Sequence, residues 1–211
     1  MIEFTSFFLG FIFALILGLI ILYGLGFNYK YMYHKFIAKE EPSEIHIETI
    51  FIDEVYEKLI DYVKTHNVMC MVTTTNEYEL FKATYGFNYT LDEISRILRN
   101  RYKVLSEHAK IGLHTHIAPN EVIDLFGYED QYHKIIEGYN FLKSMNIIAE
   151  DFAPGWWSYN GITIDVCKDI GIKNFHVNVH ELKGCEKPNK LNFIYVRKFF
   201  HDYELLKQSK A

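Results

Sequence analysis

Three cysteines among 211 residues, Cys70, Cys167 and Cys185, leave an odd count, and no two of them are spaced as CxxC. That pattern argues against a disulfide framework and suits reduced thiols. Positive charge is also scarce: 22 Lys and Arg face 27 Asp and Glu, the net charge is −5, and no basic stripe runs along the chain. The electrostatic footprint of a nucleic-acid binder is missing, so no nucleic-acid partner is expected. Internal repeats and low-complexity tracts are absent too. The length therefore reads as one ordinary domain with an appendage.

Charge is missing altogether between Phe7 and Phe27, FFLGFIFALILGLIILYGLGF. At about 1.5 Å of rise per residue, such a helix covers a hydrocarbon core of about 30 Å. A cleaved signal peptide fits poorly. No basic segment precedes the run, Tyr and Lys rather than small residues follow it, and it exceeds the usual apolar core of about 7–15 residues. Residues 1–27 are expected to be a membrane anchor, 28–43 a juxtamembrane linker ending at Glu41-Pro42-Ser43, and 44–211 the folded domain. Lys30, Lys35 and Lys39 follow the span while only Glu3 precedes it, which places the domain in the cytoplasm by the positive-inside rule. Tyr23, Tyr29, Tyr31 and Tyr33 supply an aromatic belt at that interface.

Beyond the linker, Ile45, Ile47 and Ile50-Phe51-Ile52 suggest a short extended piece. Residues 53–66 carry Val55, Leu59, Ile60 and Val63 at helical spacing, with acids in the first turn. The apolar run 68–72 reads as a buried strand ending in Thr73-Thr74-Thr75-Asn76-Glu77. The alternation continues with a helix over about 90–108, a strand over 110–115, helix over 121–145 and a strand over 146–152. A helix over 163–170 closed by Gly171 follows, then strands over 175–179 and 192–200. Strands alternating with helices predict an α/β fold on a mostly parallel sheet, open or closed into a barrel.

Polar residues gather at the predicted strand ends, where α/β sites form. Glu77 follows the first strand, His114 and His116 the second, Asp151 the third, and His201-Asp202 the last. Side chains alternate along a strand, so His114 and His116 point the same way, an arrangement suited to a divalent metal. His176 is expected to pack within the fold, and His180-Glu181 forms a weaker site candidate.

Lys110-Ile111-Gly112-Leu113-His114-Thr115, then Phe152-Ala153-Pro154-Gly155-Trp156 with Asn160-Gly161-Ile162-Thr163 and Asp169-Ile170-Gly171, and finally Phe199-Phe200-His201-Asp202 follow one another over about residues 65–205. In this order they resemble the second, third and closing motifs of the polysaccharide deacetylases. The resemblance implies a distorted β/α barrel, complete or incomplete, that hydrolyses an N-acetyl amide on a carbohydrate with a divalent metal, zinc foremost. It also implies a location on the exterior, opposite to the charge rule. Three departures stand out. The family's first motif carries two adjacent aspartates, whereas Thr73–Glu77 has none. The second motif's usual second His falls at Ala118, so His116 must substitute. The arginine expected before the third-motif proline is replaced by Phe152.

Metal-dependent amide hydrolysis needs a Lewis acid, a base for water and an acid for the leaving amine. His114 and His116 are the candidate ligands, with Glu77 or Asp151 as the third and the other as base. His201 is the candidate acid, oriented by Asp202 or another carboxylate. Trp156, Trp157 and Tyr159 are candidates for stacking on sugar rings. Two other classes share these features: a His-x-His metal-dependent phosphoesterase or amidohydrolase, and a non-catalytic membrane protein that binds a glycan or a partner. Deleting residues 1–27 is expected to move the protein from the membrane fraction to the soluble fraction with its circular dichroism intact. An insoluble product without native dichroism would contradict the anchor and domain boundaries.

Overall fold

Seven short strands, each apolar on the face turned to the helices, pair in parallel in the order β6-β5-β4-β3-β2-β1-β7. The computed structural model describes residues 42–178 and 191–208. The apolar run 7–27, the linker up to residue 41, His180-Glu181 and Cys185 lie outside the described residues. Among the described residues, no helix is long and apolar enough to cross a membrane. Cys70 and Cys167 are both buried free thiols.

In chain order, the elements are β1 (Glu44–Ile47), α1 (Asp53–Val63), β2 (Met69–Val72), a 3₁₀ turn (Thr75–Glu77), α2 (Tyr78–Tyr85) and α3 (Leu91–Leu105). Then come β3 (Lys110–Thr115), a 3₁₀ turn (Ile123–Leu125), α4 (Tyr128–Lys143), β4 (Asp151–Pro154), a 3₁₀ turn (Gly155–Trp157) and α5 (Gly161–Asp169). The chain closes with β5 (Asn174–Asn178), β6 (Asn192–Val196), β7 (Phe199–His201), a 3₁₀ turn (Asp202–Glu204) and α6 (Leu205–Gln208).

Two constraints curl this sheet into a distorted barrel. Strands β6 and β7 lie at its two edges, about 29 Å apart if it were flat at about 4.8 Å per strand. Only Arg197 and Lys198 separate them in sequence, and three residues of extended chain reach at most about 11 Å. One nearly continuous segment therefore pairs first with β5 and then with β1. The Ser43 amide donates to the Lys198 carbonyl, 3.1 Å, at that joint. The second constraint is a bond across the lumen. Glu44 on β1 and His176 on β5 sit four strand positions apart, yet Glu44 Oε2 meets His176 Nδ1 at 2.7 Å.

The sheet's outer face is an ordinary core. Ile45, Ile47, Cys70, Val72, Leu113, Phe152, Phe175 and Val177 pack against the helices. The α1 stripe Val55, Leu59, Ile60 and Val63 is buried as its spacing requires. In α3 the N-terminus is closed by the Thr90–Glu93 capping box, and Ile94, Leu98, Tyr102 and Leu105 face inward. The inner face is polar. Glu44, His46, Asp151 and His176 are each at most 4% exposed. They form a chain of contacts: Lys110 Nζ to Asp151 Oδ2, 2.6 Å; Asp151 Oδ1 to His176 Nε2, 3.0 Å; then Glu44 Oε1 to His46 Nε2, 2.7 Å.

Burial opposes charge on His176, but hydrogen bonds to Asp151 and Glu44 outweigh it and push the imidazole up to about 9. Burial likewise pushes both carboxyls up, and their hydrogen bonds win, holding Glu44 and Asp151 at about 2. An imidazole at about 9 when folded and 6.5 when unfolded stabilises fully below pH 6.5, and that contribution is lost as the pH rises through 9. The carboxylates contribute above their ordinary range and lose that contribution as the pH falls toward 2. The urea midpoint of the wild type is therefore expected to fall between pH 7 and about 9–10 by a component that His176→Gln lacks. At pH 6 the same variant should lose about 3–5 kcal/mol, because two buried carboxylates are left without the cation between them. Parallel alkaline profiles in the two proteins would contradict this assignment.

Candidate metal centre

Strand β1 delivers Glu48 to the carboxyl end of the barrel, and β3 delivers His114 and, one residue beyond its end, His116. The Glu48 backbone is fixed from below. Its amide donates to Asp202 Oδ1, 3.2 Å, while the Thr49 amide and hydroxyl donate to Oδ2 and Oδ1, each 2.9 Å. Asp202 is completely buried, and that burial raises its carboxyl to about 7 against the pull of these donors. The Glu48 side chain divides its two oxygens. The Tyr85 hydroxyl donates to Oε2 at 2.8 Å. Oε1 faces three imidazoles, with Nε2 of His114, His116 and His201 at 3.7, 3.6 and 3.5 Å. Burial pushes the Glu48 carboxyl up, and the facing imidazoles overcome it, holding the group at about 2.

Those separations are too long for hydrogen bonds. They suit a shared ion better, since tetrahedral bonds of about 2.0–2.2 Å place neighbouring donor atoms about 3.3–3.6 Å apart. One donor atom from each of Glu48, His114 and His116 lies within 4.8 Å of the others. The tautomers also fit. His114 Nδ1 lies 2.9 Å from the Ala153 carbonyl, which can only accept, so this nitrogen carries a proton, and in the neutral tautomer it is Nε2 that offers a lone pair toward Glu48. His116 Nδ1 is held by Glu77 Oε2 at 3.1 Å, and its amide donates to Glu77 Oε1 at 2.6 Å. Metal-binding histidines are characteristically oriented by such outer partners. Glu48, His114 and His116 can hold a divalent metal.

The centre opens into a cavity of about 380 Å3. One wall is Leu80, Phe81, Thr84 and Tyr85 of α2; the other is Trp156, Trp157 and Phe199, with His46 beneath and His201 at the side. Trp156 (φ 52°) and Trp157 (φ 53°) are successive left-handed residues, a conformation costing non-glycine residues about 1–3 kcal/mol each. Trp156 is 45% exposed and stands edge-on to His116, with ring centroids 4.5 Å apart. Gly155 is required by contact: a Cβ there would lie 2.3 Å from His116 Cδ2 and 2.7 Å from its Cα.

His114, His116, His201, Trp156 and Trp157 thus come together around one cavity. The other sequence candidates do not meet in the same way. Glu77 lies behind His116, contacting its Nδ1 rather than facing Glu48. Asp151 begins β4 instead of ending it, and pairs with Lys110 and His176 at the opposite end of the barrel. The strand expected over 146–152 begins only at Asp151; of residues 147–150 it is the Glu150 carbonyl that meets the sheet, accepting from the Lys173 and Asn174 amides at 2.8 and 3.0 Å. Tyr159 is buried against Phe175, outside the cavity wall. Asp202 bonds the Glu48–Thr49 backbone, and two other carboxylates flank His201: Glu48 Oε1 at 3.5 Å from Nε2, and Glu204, whose Oε1 accepts from the His201 amide at 2.9 Å.

Sequence reasoning missed Glu48, Tyr85, His46 and Phe199. The signal for the first was Glu44-Ile45-His46-Ile47-Glu48, whose strict alternation puts two acids and an imidazole on one face. That face lines the lumen, and the strand ending in an acid is β1 rather than β2.

A curled parallel β/α sheet with histidines and a carboxylate at its carboxyl edge defines a barrel protein with a candidate metal centre at its mouth. No protein-family model matches the chain, and no curated protein matches it in sequence. Solved structures do match. A family 4 carbohydrate esterase (CE4) pseudoenzyme from Bacillus anthracis aligns with TM-score 0.50 and 12% identity, covering 79% of this chain and 56% of that one. A family 4 carbohydrate esterase from Streptomyces lividans, solved in complex with acetate, gives 0.45 and 8%, covering 75% and 77%. A deacetylase domain from Bordetella bronchiseptica gives 0.45 and 11%, covering 75% and 69%. The fold is of the polysaccharide deacetylase type.

The close approach at Gly155 generates a test of the centre. Gly155→Ala is expected to displace His116 and weaken zinc binding at least tenfold while far-ultraviolet dichroism is kept. Zinc retained stoichiometrically after dialysis of this variant would count against His116 as a ligand.

Proposed function

We propose that this protein is a metal-dependent deacetylase acting on an N-acetylated carbohydrate, tethered to a membrane by residues 7–27. The observation that carries this reading is the Glu48, His114 and His116 group at the mouth of a deacetylase-type barrel. Glu48, His114 and His116 would hold a divalent ion, which would supply Lewis acidity for hydrolysis of the amide. The chain's own groups do the rest. His201 Nε2 is the candidate proton donor to the leaving amine. Burial lowers its pKa, with Glu48 opposing and His114 reinforcing the shift. Trp156, Trp157 and Phe199 offer apolar faces to the acyl methyl and the sugar ring, and they shield the reacting amide from bulk water.

Glu48 is the single carboxylate among the described residues that line the cavity. If it ligates the metal, no second carboxylate remains beside the metal as base. This favours a second reading, a metal-loaded glycan-binding protein without turnover.

Zinc content and acetate release from N-acetylglucosamine oligomers distinguish the two readings. The deacetylase predicts about one zinc per full-length chain and acetate release that His114→Ala abolishes together with the metal. His201→Ala should keep the metal and slow turnover by about 10²–10⁴-fold. Stoichiometric zinc and oligosaccharide binding with no acetate from any N-acetylated sugar would establish the binding protein instead.

A further inference from the structure

The side-chain partners that orient two of the three candidate ligands, Glu48 and His116, come from one stretch of chain. Glu77 closes the Thr75–Glu77 turn and α2 begins at the next residue, running to Tyr85. At one end of this segment, the Glu77 carboxylate holds His116 through its amide and Nδ1, at 2.6 and 3.1 Å. At the other, the Tyr85 hydroxyl holds Glu48 Oε2 at 2.8 Å. Between them Phe81 lies edge-on to His116 at 6.0 Å, and its ring packs on Tyr85 at 5.8 Å.

The segment is itself anchored. Thr74 Oγ1 donates to Asn76 Oδ1 at 2.6 Å, and Asn76 Nδ2 donates to the Lys134 carbonyl at 2.8 Å. Its far end stops at Gly86, whose left-handed conformation (φ 67°) closes the helix with a bond to the Lys82 carbonyl.

We propose that residues 75–85 form a single clamp that sets the metal affinity of the centre, with Glu77 and Tyr85 acting together as positioning residues. This rests on the metal-centre reading above, though not on hydrolysis. Tyr85 turns Glu48 so that Oε1 alone faces the imidazoles. Glu77 fixes the His116 ring and its tautomer. Because one rigid segment carries both contacts, releasing one end loosens the other, and the two contributions are not independent.

The test measures zinc affinity of the full-length chain by competition with a chromophoric chelator for the wild type, Tyr85→Phe, Glu77→Gln and the double variant. The visible spectrum of each cobalt(II)-loaded protein is recorded alongside. Each single variant should bind zinc about 10–100-fold more weakly. The double should lie within about twofold of the weaker single, with altered cobalt bands and metal-free unfolding midpoints like the wild type's. Multiplying losses would overturn the clamp, since the two contacts would then act separately. Single variants within twofold of wild type, or weak binding that only tracks a lowered metal-free midpoint, would also overturn it. Should Glu77→Gln fail to fold, Tyr85→Phe alone still overturns the clamp if its zinc affinity stays within twofold of wild type, because it removes one oxygen and keeps the ring. A wild type that binds no zinc sinks the metal centre itself, whereas a zinc-binding wild type with unaffected variants sinks only the clamp.

Discussion

Across the lumen of the barrel, Glu44 Oε2 meets His176 Nδ1 at 2.7 Å, and the curl of the sheet, its polar interior and the floor of the candidate site all hang on that contact. Barrels of this size are usually filled by layers of branched apolar side chains. Here the filling is a line of alternating charges, from Lys110 through Asp151 and His176 to Glu44, which ends on the neutral His46 imidazole. Burying such a line is tolerable only when it is complete, since removal of one member strands the next in a medium that cannot solvate it. The last imidazole also carries the site. Burial and the neighbouring His114 hold His46 down to about 3, so it remains a neutral ring. It packs beneath His114 with centroids 4.3 Å apart and against Trp157 at 5.1 Å.

The α/β alternation was legible because helices and strands bury faces of different period. The α1 stripe, the Thr90 cap and the β3 strand were all readable from spacing. Strand β1 was harder. A strand buried on both sides is ordinarily apolar throughout, and Glu44, His46 and Glu48 give it the look of a half-exposed ribbon. Its true setting depends on partners 132 residues away, which no local pattern reports. Reading β1 as a minor piece shifted the count of strands, and the acid at its end was sought after β2 instead. The β4 boundary erred for a related reason: Ile147-Ile148-Ala149 is apolar like a strand, yet the ladder starts only at Asp151.

The two histidines were legible from parity alone, since i and i+2 share a face in any strand. Their orientation was not, because it comes from a carbonyl on β4 for His114 and from Glu77 for His116. An aromatic pair beside them could be seen in sequence, whereas its strain could not. Trp156 and Trp157 hold left-handed conformations in the turn between β4 and α5, directly after Gly155, whose missing Cβ leaves room for His116.

The joint at Arg197-Lys198 has a consequence for where the last histidine points. Val196 pairs with Asn178, and Phe199 and His201 pair with Glu44 and His46, so all of these share the lumen side. Uninterrupted alternation from Val196 would put Phe200 inside and His201 outside. The two joint residues shift the phase by one, as a bulge does, and so reverse the sense of everything downstream. The joint is in effect a phase lock. The same two residues that carry the strand from one edge of the sheet to the other also decide whether an imidazole or a phenyl ring enters the mouth of the barrel. A one-residue change in their number would exchange the two, and would turn Phe199 out of the cavity wall and Asp202 away from the Glu48–Thr49 backbone with them.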